Sequence, residues 1–200
     1  MAAGSARGDA GTAKRILDIG EELVQARGFN GFSYADIAAE VGISKAALHY
    51  HFPGKGDLGL ALITRYAERF TASLAGIDRA DTTPGGRLAQ YARLYDQVLR
   101  QGKMCLCGML AAEYQTLPAP MQAAVTGFFD ANESWLEKVL EDGRQDASLR
   151  FAGAARQTAQ MVVACLEGAM LLARPCGDPD RLRSIAASLL ADLTRPVSDP

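Results

Sequence analysis

An all-helical fold is the class this sequence predicts, on three observations. Alanine and leucine are abundant and β-branched runs are few in a chain that is 48% AVILMFWYC. Apolar residues recur at three- and four-residue spacing, which lines one face of a helix. Glycine, proline and Ser/Thr/Asp caps punctuate those stretches and divide the chain into about nine helices. With 200 residues the chain makes one large or two small domains, enough to bury a real core.

Each element has its own signal. Residues 1–11, rich in Ala, Gly and Ser with scattered charge, are expected to be a disordered tail. Helix one follows over about 12–27 with Ile16, Ile19, Leu23 and Val24 on one face and Gly28 as its stop. Ser33 with Asp36 forms a capping box that opens helix two, whose apolar side is Ile37, Ala38 and Val41. Gly42 supplies the positive φ that ends it. Ser44 caps helix three, anchored by Leu48 and closed by Pro53-Gly54. A fourth helix over about 56–76 carries Leu58, Leu62, Ile63, Tyr66 and Phe70 and is expected to join a small domain to a large one. Thr83-Pro84 opens the fifth, which runs through Arg100 until Gly102 breaks it. A short apolar helix is expected over 104–116, a long one over Pro118–Arg144 interrupted by Gly127, then one over 152–173. Asp178-Pro179 opens the ninth, which fades near Thr194.

Helices two and three, joined by a short glycine turn, make a helix-turn-helix, whose second helix enters the DNA major groove. The residues on that helix suit the role. From Ser44 to Lys55 the chain holds Lys45, His49, Tyr50, His51 and Lys55, no Asp or Glu, and both of its histidines. Lysines attract phosphate, and Tyr and His rings hydrogen-bond phosphates or base edges. Ala46 and Ala47 are small enough to let the backbone approach bases. A plainer reading keeps His49, Tyr50 and His51 as packing of the small domain, with Lys45 and Lys55 as solvated surface.

Charge sets a limit. The net charge is −2, and in the first 56 residues Arg7, Lys14, Arg15, Arg27, Lys45 and Lys55 balance Asp9, Asp18, Glu21, Glu22, Asp36 and Glu40. DNA affinity must come from locally placed charge and from doubling in a dimer. No apolar stretch approaches the roughly 18–20 residues of a membrane span and no signal-peptide block opens the chain, so a cytoplasmic protein without membrane contact is expected. No catalytic residues are assigned: Ser-His-Asp spacing, a glycine-rich phosphate loop and HExxH are all missing. Asp130, Glu133, Glu137, Glu141 and Asp142 read as the solvated face of the long helix.

The run Ser33…Ile37-Ala38…Val41-Gly42-Ile43-Ser44…Leu48, followed by His51-Phe52-Pro53 and Lys55…Leu58, resembles the DNA-binding domain of the TetR family of bacterial regulators over residues 12–62. The resemblance implies a homeodomain-like three-helix DNA-binding domain over 12–56 and a helical ligand-binding and dimerisation domain over 57–200. It implies phosphate contacts from Ser33, Tyr34 and Lys55 and a groove-facing set of Lys45, Ala46, Ala47, His49 and Tyr50, with Ser44 and His51 beside them. Two positions depart from the family: Ala46 stands where a glycine is common, and His49 where tyrosine is usual. The partners expected are a palindromic DNA operator, a small-molecule inducer and a second copy of the chain.

Helices eight and nine are both amphipathic, through Ala159, Val162, Val163, Leu166, Ala169 and Met170, and through Leu182, Ile185, Leu189, Leu190 and Leu193. Periodicity leaves open whether they close the core or pack on their twin as a four-helix bundle. The resemblance places the dimer interface there, on Val162, Leu166, Ala169, Met170, Leu182, Ile185 and Leu189. The ligand pocket is expected among Tyr91, Tyr95, Met104, Met109, Glu113, Tyr114, Phe128, Phe129, Trp135 and Met161, since thioethers beside aromatics suit an adaptable apolar cavity. Most of these also fit a plain core.

Four cysteines remain: Cys105, Cys107, Cys165 and Cys176. Cys105-Leu-Cys107 lacks the paired spacing of a zinc site and the histidines lie elsewhere, so neither metal nor cofactor is expected. Cys105 follows Gly102-Lys103 at a helix start, where an ammonium and a helix N-terminus would stabilise thiolate. Cys105 and Cys107 differ by about 200° around a helix and do not share a face. The stretch KMCLCGMLAAEYQTLPAPMQ resembles a branch of the family that senses electrophiles or small acyl compounds at this cysteine. A buried inert thiol is the other reading. The function expected is a ligand-responsive DNA-binding regulator, most simply a homodimeric repressor; a protein-partner adaptor and a small helical enzyme are the alternatives.

Overall fold

Residues 3–80 and 83–194 are described by the computed structural model, and among them every regular element is helical. The helices are α1 (Ala3–Arg27), α2 (Tyr34–Val41), α3 (Lys45–His51), α4 (Lys55–Arg79), α5 (Pro84–Arg100), α6 (Leu106–Ala112), α7 (Ala119–Gln145), α8 (Ala155–Cys176) and α9 (Asp180–Thr194), with a 3₁₀ turn at Tyr114–Thr116. The helix begins at Ala3, which corrects the expected disordered tail over 3–11; positions 1 and 2 lie outside the described residues. The alanines of that stretch favour extending a helix already nucleated downstream. The helix expected over 104–116 divides into α6 and the 3₁₀ turn.

The described residues fall into two compact units: Met1–Glu68 with Leu106–Thr126, and Arg69–Cys105 with Gly127–Pro200. In the first unit α1 packs on α2 and α6, and α2 on α3. Its buried side chains include Ile16, Val24, Phe29, Ile37, Val41, Leu48, Leu58, Leu62 and Met121. Leu48 is the sole buried residue of α3, so truncating it to Ala would cost about 2–5 kcal/mol and unseat that helix. Arg65 on α4 holds Asp18 and Glu21 of α1, each at 2.7 Å.

The second unit packs α5, α8 and α9 against one another. Phe70, Tyr91, Phe128 and Trp135 cluster in it, with Tyr91 stacked on Trp135 at 5.6 Å and Phe70 edge-on to Phe128 at 5.2 Å. Pro175, inside the last turn of α8, denies the helix one N–H, and the left-handed cap Gly177 ends it two residues later. By length and hydropathy α8 passes as a membrane span, contrary to the sequence expectation. Its buried residues Thr158, Ala159, Val162, Val163, Leu166, Ala169, Met170 and Ala173 are instead those of a core helix.

That packing also corrects the expected dimer residues. Val162, Leu166, Ala169, Met170 and Leu182 are buried inside the single chain, out of reach of a second copy. Ile185 and Leu189 are half-buried. The apolar side chains of α8 that do face outward are Met161, Leu171 and Leu172, at 50%, 58% and 53% exposure. A helix packed on two neighbours carries two apolar stripes, and periodicity does not say which one stays uncovered.

Candidate nucleic-acid interface and effector region

The tip of the first unit is built by local capping. The Ser33 N–H and hydroxyl both donate to Asp36 Oδ2, at 2.6 and 2.7 Å. Asp36 titrates below the usual carboxylate range, through the Ser33 hydroxyl first and its N–H second. Gly42, at φ 76°, ends α2 with its N–H on the Ala38 carbonyl at 2.9 Å. Ser44 then opens α3, its hydroxyl oxygen accepting from the Ala47 N–H at 3.1 Å.

These caps turn one face of α3 outward. Lys45, Ala46, His49 and Tyr50 are exposed, with Ala47 half-buried, as the groove-facing set requires. Tyr50 is 75% exposed, the largest exposure among the outward-facing large apolar and aromatic residues of the described chain. Its ring touches the edge of the His51 ring at 5.4 Å and is otherwise turned to water, beside exposed Lys45, Ala46 and His49. Ser33 and Ser44 lie exposed beside this face.

Three expected DNA contacts have other work. The Lys55 ammonium donates to the Phe29 carbonyl at 2.5 Å and to the Phe32 carbonyl, and sits over the Phe29 and Phe32 rings at 4.6 and 4.3 Å. Burial pulls its pKa below the ordinary lysine value, with Glu113 and Asp36 opposing. Lys55 is therefore a clamp on the turn between α1 and α2. Tyr34 donates to the Phe52 carbonyl at 2.9 Å and packs against the His49 ring at 4.8 Å. Burial, with Asp57 second, pushes its phenol up to about 12. His51 is largely buried, its Nε2 3.4 Å from Asp9 of α1. Tyr34 opens α2, His51 ends α3 and Lys55 opens α4, and spacing alone does not say which way a side chain at a helix end turns.

The effector residues divide similarly. Tyr91, Tyr95, Met104, Phe128, Phe129 and Trp135 lie in the second unit, all buried or half-buried. Met161, in the same unit, is half exposed and faces outward. Met109, Glu113 and Tyr114 belong to the first unit. Glu113 is not a ligand anchor: its carboxylate accepts from the Phe29 N–H at 2.6 Å and the Asn30 N–H at 3.2 Å. Asn30 adds a bond from Nδ2 to Thr116 Oγ1 at 2.8 Å. Gly28, at φ 79°, admits that carboxylate, since a Cβ there would stand 2.8 Å from Glu113 Oε1.

Sequence reasoning missed one group in the second unit. Glu167 of α8 buries its carboxyl there and accepts from the Cys105 thiol and the Tyr95 hydroxyl. Its Oε1 is buried with no hydrogen-bond partner. Desolvation, the largest effect, pushes its pKa up to about 7 against those two donors. Tyr91 links to the same group, lying 3.2 Å from the Tyr95 hydroxyl and donating to Asn132 Oδ1 at 3.1 Å. The signal was available: Glu167 is the one charged residue between Arg156 and Arg174. Cys105 thus meets an acid, where the sequence suggested a thiolate stabilised by Lys103.

Two family descriptions match the chain: bacterial regulatory proteins, tetR family, over residues 16–62, and the tetracyclin repressor-like C-terminal domain over residues 87–189. The HTH-type transcriptional repressor NemR of Escherichia coli is 28% identical over 169 residues, 82% of this chain and 84% of NemR. Among solved structures, a TetR-family transcriptional regulator from Agrobacterium tumefaciens is 33% identical with a TM-score of 0.91, covering 94% of this chain and 100% of that one. The reduced form of E. coli NemR is 26% identical with a TM-score of 0.79, covering 93% and 99%. With an outward recognition helix at one end and both halves of the chain matched, the protein belongs to the TetR family and is a ligand-responsive, DNA-binding transcription regulator.

Proposed function

We propose that the protein is a homodimeric repressor that leaves its operator when a small molecule or electrophile reaches the second unit. Residues 12–56 form the DNA-binding domain and 57–200 carry the inducer site and the pair interface. The observation that carries the reading is the acid-free outer face of α3, with Lys45, Ala46, His49 and Tyr50 exposed. Ser33, Ser44 and the half-buried Ala47 complete it, while Tyr34, His51 and Lys55 hold it in shape. Repression is favoured by the likeness to repressors such as NemR. Work on chromosomal DNA implies the cytoplasm.

Pairing through α8 and α9 is supported by the outward stripe of Met161, Leu171 and Leu172, with Ile185 and Leu189 half-covered on α9. A two-fold pair brings its recognition helices to about 34–36 Å, one DNA turn, so that a palindromic site is read twice. An inducer acts only if it binds the spread arrangement better than the DNA-bound one. We read Cys105 as the residue an electrophilic inducer would modify.

Fluorescence anisotropy with promoter DNA from beside the protein's own gene tests this. Salt-sensitive binding with two subunits per site is expected. Failure to bind any such fragment would favour a protein-partner adaptor instead.

A further inference from the structure

We propose that the cleft between α5 and α9 binds a small amphipathic carboxylate, an unbranched medium-length apolar tail ending in one carboxyl group. The site lies apart from Cys105 and stands whether or not an inducer reaches that thiol.

Alanines open the cleft. The two helices are tied near both ends. Arg100 of α5 holds Asp180 of α9 at 2.6 Å, and a Cβ at Gly85 would stand 3.5 Å from Thr194 Cγ2. They therefore run antiparallel. Between those ties Ala89 and Ala92 of α5 and Ala186 and Ala187 of α9 line the walls, and their methyl groups are too short to close the gap. A space of about 490 Å³ is left, inside the second unit. Small-molecule sites span about 300–1,000 Å³, with mostly apolar walls and a few polar groups.

The ends of the cleft differ in chemistry. Antiparallel order sets Ala89 beside Leu190 at an apolar end, while Arg93, Asp96, Gln97 and Arg183 share the other. Asp96 is already engaged by Arg100 at 3.0 Å. Arg183 stands 3.5 Å from Asp96 and 3.7 Å from Asp180, long separations that leave it able to turn to another anion. Among the described residues the exposed Arg93 guanidinium has neither an ion pair nor a hydrogen bond. Around this end Arg93, Arg100 and Arg183 face Asp96 and Asp180, so one positive charge is uncompensated.

That charge selects the head group. A planar guanidinium beside an apolar wall pairs with a carboxylate through two parallel N–H bonds, and Gln97 offers an amide donor one turn along α5. A neutral head would leave Arg93 as it is, and an ammonium would be repelled. The tail follows from the walls. Ala89 to Gln97 is about 12 Å of helix, a narrow alanine-sided channel that fits a linear chain.

Neither neighbouring surface competes for this space. Tyr91 and Tyr95 of α5 are buried in the aromatic cluster. Ile185 and Leu189 of α9, read above as part of the pair interface, lie roughly 100° around the helix from the cleft.

The test is calorimetric titration of the full-length protein with octanoate, and with octanol and octylamine as the neutral and cationic heads on the same tail. Octanoate is expected to bind once per chain, about tenfold or more tightly than octanol, with no binding of octylamine. Arg93→Ala is expected to weaken octanoate by about tenfold, the scale of a charge-assisted pair, and to leave octanol unchanged. Ala187→Phe, at the exposed rim, is expected to block octanoate while circular dichroism and sedimentation velocity stay as in the wild type. Absence of saturable octanoate binding overturns the inference. So does octanol binding as tightly, which would make the cleft a plain apolar crevice, or Arg93→Ala binding octanoate unchanged. If Ala187→Phe splits pairs into single subunits, a second copy of the chain covers the cleft and the inference falls.

Discussion

Tyr50 stands in water on α3 and a carboxyl oxygen of Glu167 on α8 is shut from it, and each has a measurable consequence. Tyr50→Ala removes a side chain that packs against little of its own chain, so thermal stability should hold within about 0.5 kcal/mol. Anisotropy should nonetheless register about a tenfold or greater loss of operator affinity, the scale of one good groove contact. An unchanged affinity would remove Tyr50 from the interface. Glu167 behaves oppositely. Its pKa is raised in the folded protein from the ordinary 4.5 to about 7, so the folded state binds the proton more tightly than the unfolded one. The stability this confers is complete below pH 4.5 and is lost as the pH rises to about 7. By linkage the loss across that interval is about 3 kcal/mol. Urea unfolding at a series of pH values should show that slope, and Glu167→Gln should flatten it.

At the scale of elements, the turn between α1 and α2 is held from both sides. Lys55 binds its carbonyls and Glu113 its N–H groups, so one charged side chain satisfies each kind of backbone group. Hydrogen bonds to charged groups contribute about 1.5–3 kcal/mol when buried. Lys55→Met keeps the aliphatic stem between Phe29 and Phe32 but strands two carbonyls, and should lower unfolding stability by about 2 kcal/mol. Gly28→Ala meets two penalties, a left-handed backbone and a Cβ 2.8 Å from the Glu113 carboxylate. A loss of about 1–3 kcal/mol is expected in chemical denaturation. Both variants should weaken DNA binding only in proportion to unfolding, which separates them from Tyr50→Ala.

For the whole molecule, the proposed function requires two copies. Leu171→Glu with Leu172→Glu puts charge on the outward stripe of α8 without touching the buried one. Sedimentation velocity should then show single subunits that keep their helical circular dichroism. Operator affinity should fall by about 10²–10⁴, the gain that linking two half-site contacts supplies. Pairs that persist in this variant would move the interface elsewhere.

The sequence by itself determined the helix count, the Ser33–Asp36 and Ser44 caps and the Gly42 turn. Those features depend on contacts three or four residues apart, which local order makes legible. Tertiary structure alone decided the fate of Lys55, Tyr34 and His51, the stripe of α8 that is left uncovered, and the meeting of Glu167 with Cys105. Glu113 reaches Phe29 across 84 positions of chain, and no spacing rule encodes that. An ammonium or a carboxyl takes its role from whatever the packed chain brings beside it and from how much water that packing removes.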